Sequence, residues 1–268
     1  TSSALASLVL ERNKLGEPAM AALAAGLGVS KSLTTLRLRN NNIGVVGGEF
    51  LARGIDASKS LTALDVRENG IHSTGAAALC KSVLASQTLR SFGEIPLAEL
   101  RGEGCEWLNL GSNSHGPAET MVIAQLLAHD EHVRALDLSG NELCGLTKTG
   151  EGTFTVGAVE ALAAALETNT ALTRLNLRDN AICGTRFGKQ RGSHAGVEAL
   201  AGALQVNRTL TEIELQGNEI DEIGWRAVLH ALRDNPADGI VTMNLSSHSI
   251  TPAIAVAVAE YIAVSKAL

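Results

Sequence analysis

The chain has 268 residues, of which 45% are hydrophobic but only 3% aromatic, and its formal net charge is −6. This mildly acidic balance argues against nucleic acid as the main partner, and no apolar run is long enough to span a bilayer. Four cysteines are too few for a disulfide framework. These features predict an aliphatic core, no membrane insertion, and an intracellular location in the cytoplasm or the interior of an organelle.

One sequence motif recurs along the chain, with the form Leu-x-x-Leu-x-Leu-x-x-Asn-x-Leu/Ile. It reads LTTLRLRNNNI at 33–43, LTALDVRENGI at 61–71, LTRLNLRDNAI at 172–182 and LTEIELQGNEI at 210–220. The repeats start at Leu5, Leu33, Leu61, Leu89, Cys105, Val133, Leu172, Leu210 and Ile240. The first four starts are 28 residues apart, whereas only 16 residues separate Leu89 from Cys105. This spacing predicts eight full units and one stunted unit.

Each unit combines a strand pattern with a helix pattern. In Leu-x-Leu the apolar residues alternate with polar ones, which predicts a short strand that turns its leucines inward. A segment rich in glycine and alanine follows, as in GAAALCKSVL at 75–84, and it predicts a helix that lies close against the sheet. The recurring asparagine is expected to satisfy backbone groups of its own turn and of the neighbouring repeat. Because one unit cannot bury its leucines alone, we expect the units to stack with parallel strands.

This unit resembles the ribonuclease-inhibitor-like class of leucine-rich repeats, which includes the Ran GTPase-activating protein and the repeat regions of NOD-like receptors. The resemblance implies an α/β solenoid, a horseshoe with parallel strands on the concave face and helices on the convex face. We predict a single domain over residues 1–268, with regular repeats at 5–88, a stunted repeat at 89–104, repeats with rim insertions at 105–239 and a last repeat at 240–268. Both ends are apolar, which predicts that further repeats or a partner flank them.

The stunted repeat allows two interpretations. We expect it to keep a strand-like start and to replace the helix with a turn near Pro96. Repeat arrays tolerate local irregularity, so the first interpretation is a lesion without function. The second is a hinge or a docking notch.

Two insertions, at 145–155 and 184–195, enter consecutive repeats at the same position. A stack would place them side by side on one rim, and long loops on a rigid scaffold often carry function. Phe154 of the first insertion has no repeat position to fill, and it is a candidate partner contact. The second insertion adds three cationic candidates, Arg186, Lys189 and Arg191.

Two cysteines, Cys144 and Cys183, stand at equivalent positions just before these insertions. Adjacent strands lie about 4.8 Å apart, which is within the Cα separation that a disulfide accepts. Buried thiols are the favoured interpretation in a reducing compartment, and a disulfide is the alternative. Cys80 and Cys105 are expected in the core.

The outward strand positions supply the remaining candidate partner contacts. These are Arg37, Arg67, Trp107, Arg174, Arg178, Glu212 and Glu214. An exposed tryptophan on a face that also carries arginine is typical of an interface anchor. In the alternative interpretation, Trp107 fills space that the stunted repeat leaves.

No catalytic, cofactor or metal site is predicted. The glycine-rich stretch at 150–157 resembles the nucleotide loop of protein kinases, but the lysine and metal-binding aspartate motifs that such a site needs do not follow. We predict a non-enzymatic protein–protein interaction module that binds another protein through the concave face and the two insertions. The alternatives are a GTPase-activating regulator resembling the Ran activator, and a scaffold subunit or sensor region of a larger assembly.

Overall fold

A computed structural model describes residues 4–102, 104–185, 193–237, 239–246 and 250–265. Short strands alternate with helices along the chain. The strands are β1 Ser7–Val9, β2 Thr35–Arg37, β3 Ala63–Asp65, β4 Ser91–Phe92, β5 Trp107–Asn109, β6 Ala135–Asp137, β7 Arg174–Asn176, β8 Glu212–Glu214 and β9 Thr242–Met243. The helices are α1 Gly16–Val29, α2 Gly44–Ala57, α3 Ser73–Ala85, α4 Leu97–Leu100, α5 Pro117–Leu127, α6 Gly157–Thr168, α7 Ala195–Val206, α8 Glu222–Asp234 and α9 Pro252–Val264.

The strands within these ranges form two parallel sheets, with the orders β1-β2-β3-β4 and β5-β6-β7-β8-β9. The chain also divides into two compact units. Unit 1 comprises Thr1–Gly102 and Ser114–Ile123, and unit 2 comprises Glu103–Asn113 and Ala124–Leu268. The α/β repeat architecture predicted from the sequence is confirmed, whereas the single domain over residues 1–268 stays a prediction.

Strand register follows the sequence repeat. Leu8 pairs with Leu36 and Leu36 with Leu64, each 28 residues further along the chain. Each of β1, β2 and β3 has three residues, and its central side chain turns toward the helices; Leu36 and Leu64 are buried. The two residues that flank it lie on the opposite, open face of the sheet, because side chains alternate along a strand.

Small residues let neighbouring helices of unit 1 approach each other closely. A Cβ atom on Gly75 would lie 2.3 Å from the carbonyl oxygen of Val45 in α2. A Cβ atom on Gly54 would lie 2.8 Å from the Cα atom of Ala24 in α1. The glycines therefore serve contacts between helices, whereas the sequence pattern had indicated contacts between helix and sheet.

The recurring asparagine forms the expected ladder beside the strands. In the buried Asn180, Nδ2 donates to the carbonyls of Leu138, Leu177 and Arg178 at 2.9–3.0 Å. Its own backbone N–H donates to Oδ1 of Asn218 at 2.9 Å, so each side chain joins two repeats. The same pattern of donation to backbone carbonyls is made by Asn41, Asn69, Asn141 and Asn218.

A second polar ladder, which was not predicted from the sequence, lies where the helices end. Nδ2 of Asn207 donates to the carbonyl of Leu166 in the preceding repeat, and its Oδ1 accepts from the N–H of Leu210. Asn169 and Asn235 make equivalent contacts in unit 2. In unit 1 the equivalent acceptors of the backbone N–H groups are serine hydroxyl oxygens, those of Ser30, Ser58 and Ser86.

The stunted repeat keeps a two-residue strand, β4, and a single helical turn, α4, directly after Pro96. This agrees with the expected strand-like start and turn. Arg101 then donates to the carbonyls of Val83, Ser86 and Leu89 at 2.6–3.1 Å. The guanidinium group thus satisfies the carbonyls of Val83 and Ser86 at the end of α3, where a cation is also favoured by the helix dipole, and that of Leu89 just beyond it.

Candidate functional site

Five of the predicted partner contacts lie on the open face of the unit 2 sheet. The first positions of its strands form one row, in the order Trp107, Ala135, Arg174, Glu212 and Thr242. The third positions form the next row, in the order Asn109, Asp137, Asn176 and Glu214. These two rows together with Arg178 are called the Trp107 face below.

Trp107 is an exposed large hydrophobic side chain of this face, with 68% of its surface accessible. This exposure is what an interface anchor requires. The neighbour in the row is the small Ala135, and Arg174 follows on the next strand. Because neighbouring strands lie about 4.8 Å apart, the backbones of Trp107 and Arg174 are roughly 10 Å apart. The small side chain of Ala135 leaves a shallow depression between them.

Two ion pairs cross neighbouring strands on the same face. Arg174 Nε lies 3.4 Å from Glu212 Oε2, and Arg178 Nη1 lies 3.6 Å from Glu214 Oε2. Both arginine side chains remain about half or more exposed. Exposed pairs of this kind contribute only about 0–1 kcal/mol to stability, so their charged groups remain available to a partner.

The third strand positions have a structural role. Asp137 Oδ1 accepts from the N–H of Ser139 at 2.8 Å, and Asn176 Oδ1 accepts from the N–H of Arg178 at 3.1 Å. Asn109 and Asn244 repeat the arrangement. These side chains therefore fix the turn that follows each strand, as Asx turns do.

Arg67 requires a correction, because it is not on an exposed surface. Only 6% of its surface is accessible, and Nη2 lies 2.6 Å from Asp65 Oδ2 and 2.9 Å from Glu94 Oε1. Burial acts to raise the pKa of Asp65, but the hydrogen bonds and charge of Arg67 outweigh it and hold that pKa below its usual range. Arg37, also in unit 1, is exposed as predicted.

Two buried titratable residues of unit 1, His115 and Glu119, were not singled out from the sequence. Burial, followed by the charge of Arg67, lowers the pKa of His115 to about 3. Burial raises the pKa of Glu119 to about 7, although its Oε2 accepts from the N–H of Gly116 at 3.1 Å. In the described part of the chain no hydrogen-bond donor reaches Glu119 Oε1. The only sequence signal was a carboxylate in the first turn of α5, which does not reveal burial.

The first insertion has a defined structure. Leu146 forms an antiparallel bridge with Gly152, and the N–H of Thr147 donates to the carbonyl of Glu151 at 2.9 Å. Gly152 has φ 111°, and a Cβ atom there would lie 2.1 Å from the carbonyl oxygen of Gly145, so this turn requires glycine. Lys148 is exposed near the tip, whereas Phe154 is half-buried.

The second insertion is described only in part. Arg186, Lys189 and Arg191, predicted to contact a partner, lie outside the described residues. At its end, His194 Nε2 lies 2.8 Å from Oδ2 of Asp221, which caps the N-terminus of α8 by accepting from the N–H of Gly224.

A cavity of about 310 Å³ opens on the rim beside the first insertion. Its floor includes the buried Leu146 and Ala181, and the exposed charged groups Lys148, Asp179 and Glu219 lie at its edge. Leu146 and Lys148 of the first insertion line it together with Gly184 and Thr185, the described start of the second. That the two insertions project side by side over their full length stays a prediction.

Cys144 and Cys183 are free thiols in the structure. Burial, followed by the nearness of Cys183, raises the pKa of Cys144 to about 12. Burial, followed by Asp221 and Glu198, raises the pKa of Cys183 to about 12 as well. Both sulfurs are therefore weak nucleophiles, which agrees with the thiol interpretation. Cys80 is buried as expected, whereas Cys105 is half-buried.

Within the described ranges, no group of three or more His, Cys, Asp or Glu side chains is placed to hold a metal ion. The helices of the same ranges include none with the length and apolar character needed to cross a membrane.

Three segments of the chain, at residues 29–52, 57–80 and 206–228, match the family described as Leucine Rich repeat. Comparison with curated protein sequences gives no match. The structure of leiomodin-1 actin-binding site 2 is similar with a TM-score of 0.50 at 16% identity, over 65% of this chain and 90% of that one. A tropomodulin C-terminal domain from Caenorhabditis elegans gives a TM-score of 0.35 at 11% identity, over 70% of this chain and 92% of that one.

Proposed function

The chain is a leucine-rich repeat protein, and we propose that it acts as a non-enzymatic module that binds another protein through the Trp107 face. Repeat folds serve many functions, so the proposal rests on the side chains of the site and not on the fold. An intracellular location, and further repeats or a partner at both ends, belong to the same proposal.

The observation that carries the proposal is the exposure of Trp107 in the same row as Arg174, with the small Ala135 between them. Tryptophan and arginine are the residue types most enriched among side chains that dominate binding energy at interfaces. Most of the ring is accessible, so it has a large apolar area to offer a partner. The cross-strand pairs Arg174–Glu212 and Arg178–Glu214 then supply charges of both signs at the edge of the contact.

The rim beside the first insertion extends this surface. Its cavity has an apolar floor and charged groups at its edge, which suits one side chain of a partner. Phe154 is half-buried, so its contribution to binding would be smaller than that of Trp107. Arg186, Lys189 and Arg191 remain proposed contacts on the second insertion.

In the described residues, no feature favours the GTPase-activating alternative or a scaffold role over simple protein binding. The leiomodin-1 structure, which shares the fold at 16% identity, is that of an actin-binding site. Purified actin is therefore one defined partner to include in a binding experiment, alongside an unbiased search.

The test is to capture partners with three immobilised proteins: the wild type, Trp107→Ala and Arg37→Ala. Arg37 is an exposed arginine on the open face of unit 1, so it controls for the loss of one outward side chain. We expect mass spectrometry to identify a protein that the wild type and Arg37→Ala retain and that Trp107→Ala loses. Equal retention by all three, or by none, would contradict a site at Trp107.

The contribution of the rim is tested separately, by shortening both insertions to the length of the plain 28-residue repeat. The stack should tolerate the change, because equivalent repeats of unit 1 fold without the insertions. We expect weaker binding of the captured partner, with circular dichroism unchanged. Unchanged affinity with an intact fold would mean that the insertions do not contact the partner and that the site lies on the strands alone.

A further inference from the structure

The depression over Ala135 on the Trp107 face has an apolar floor and is flanked by two planar groups. The floor is the methyl group of Ala135, which is half-buried. The indole of Trp107 stands on one side, and the guanidinium of Arg174, with 69% of its side-chain surface accessible, stands on the other. All three residues occupy the first positions of adjacent strands, so their side chains project from the same face of the sheet.

Neither planar group is engaged on the side of Ala135 by the part of the chain that the structure describes. Trp107 makes no cation–π contact with an arginine or lysine of these residues. Arg174 pairs through Nε with Oε2 of Glu212 at 3.4 Å, and Glu212 lies on β8, on the side away from Ala135. This ion pair therefore holds the guanidinium beside the depression without filling it.

The spacing of the strands suits the insertion of one flat ring. The backbones of Trp107 and Arg174 are two strands apart, which separates them by roughly 10 Å. Carbon atoms pack best at about 3.5–4.0 Å, so a ring in contact with a planar group on each side needs about 7–8 Å between those groups. A modest inclination of the two side chains toward Ala135 gives this separation.

The charges around the depression favour a neutral occupant over an ion. Glu212 already pairs with Arg174, and Asp137 and Glu214 stand in the neighbouring row. A partner carboxylate would therefore meet several carboxylates of this face, whereas a partner ammonium group would lie against the charge of Arg174. A neutral aromatic ring avoids both repulsions, and its negative face is attracted to a guanidinium.

We propose that the partner inserts an aromatic side chain, that of phenylalanine, tyrosine or tryptophan, over Ala135 and between Trp107 and Arg174. This inference rests on the proposed function, because it names the group that the Trp107 face binds. Stacking on the indole and a cation–π contact with the guanidinium act on the same ring, and contact with the methyl group of Ala135 removes apolar surface from water. Ala135 determines the specificity of the face, since a larger side chain there would occupy the position of the ring.

The experiment selects ligands for the purified chain from a library of random linear peptides displayed on phage. Each peptide enriched on the wild type is then measured against Trp107→Ala, Ala135→Leu and Ala63→Leu. Ala63 is the matched control because it is the half-buried first residue of β3 in unit 1, the position equivalent to Ala135 of β6. Both new leucine side chains project from the open face of a sheet, so circular dichroism should show the native fold for each variant.

We expect the enriched peptides to share an aromatic residue at one fixed position and to bind Ala63→Leu as tightly as the wild type. Ala135→Leu and Trp107→Ala should bind them at least about tenfold more weakly, and replacing the aromatic residue of the peptide with leucine should cause a similar loss. Arg174→Lys keeps the charge and removes the planar group, so it should weaken binding about threefold or more.

The outcomes separate this inference from the proposed function. Peptides that need Trp107 but share no aromatic residue, or that bind Ala135→Leu as tightly as the wild type, would overturn the aromatic occupant and leave binding at the Trp107 face standing. Unchanged affinity of Arg174→Lys would overturn stacking on Arg174, and a wild type that enriches no peptide would overturn the whole inference. Peptides that bind Trp107→Ala as tightly as the wild type would contradict the proposed function as well.

Discussion

Replacing Asn180 with alanine is expected to lower the free energy of unfolding by about 3 kcal/mol or more. The buried side chain donates to three carbonyls, and its Oδ1 accepts from the N–H of Asn141 at 3.2 Å. Alanine would remove all four of these hydrogen bonds, although each of the three carbonyls keeps one other donor: Asn141 Nδ2 to Leu138, Asn218 Nδ2 to Leu177 and the N–H of Gly140 to Arg178. A hydrogen bond inside a protein contributes about 0.5–1.5 kcal/mol, so the loss of four gives roughly 3 kcal/mol or more.

The matched control is Asn13→Ala, because Asn13 holds the same place in the first repeat but is exposed. Its Nδ2 donates to the carbonyls of Leu10 and Glu11 at 2.9 and 3.3 Å. Water can replace these bonds, so we expect a loss of about 1 kcal/mol or less. Urea unfolding followed by circular dichroism measures both variants. Equal losses would show that the ladder does not hold the repeats together.

Replacing Glu119 with glutamine is expected to change how stability depends on pH. The folded chain holds the Glu119 proton with a pKa of about 7, against a usual value of 4.5. Its stabilising contribution is complete below about pH 4.5 and is lost as the pH rises toward 7. The difference between these two pKa values corresponds to roughly 3 kcal/mol of destabilisation above pH 7, which the neutral amide would avoid.

Other titratable groups near Glu119 also affect how stability depends on pH. The effect of Glu119 is therefore isolated by comparing Glu119→Gln with the wild type at each pH. Asp65 stays ionised and Arg67 stays charged between pH 5 and pH 8, since their pKa values are shifted away from this range. His115, held neutral with a pKa of about 3, has the opposite effect: its contribution is lost as the pH falls below 6.5. The effect of His115 cancels when the variant is compared with the wild type at each pH.

The measurement is the difference in free energy of unfolding between Glu119→Gln and the wild type, at pH 5 and at pH 8. We expect this difference to move in favour of the variant by about 2.5 kcal/mol between the two conditions, because part of the contribution is already lost at pH 5. A difference that is the same at both pH values would mean that Glu119 is ionised throughout, as an exposed carboxylate would be.

The parts of the fold that repeat along the chain were predictable from the sequence. The repeat starts, the strand register and the first asparagine ladder all follow from one sequence motif that recurs along the chain. The second ladder carried a sequence signal that was overlooked: Asn169 and Asn207 each stand three residues before a repeat leucine, as Ser30, Ser58 and Ser86 do.

The parts that depend on irregular neighbours were not predictable. Arg67 occupies an outward strand position by register, yet Glu94 of the stunted repeat and the segment that carries His115 and Glu119 enclose it. No pattern in the sequence around Arg67 predicts that contact. The exposure of Trp107 was likewise open at the level of sequence, and the structure shows the ring accessible.

The most direct test of binding at the Trp107 face is the dissociation constant of the captured partner for the wild type, Trp107→Ala and Arg37→Ala. Loss of a buried interface anchor costs about 2 kcal/mol or more, so Trp107→Ala should raise Kd roughly 30-fold. Arg37→Ala should leave Kd nearly unchanged, because its side chain lies on the open face of unit 1. A Kd that stays constant in Trp107→Ala and rises in Arg37→Ala would contradict the account and place the site on unit 1.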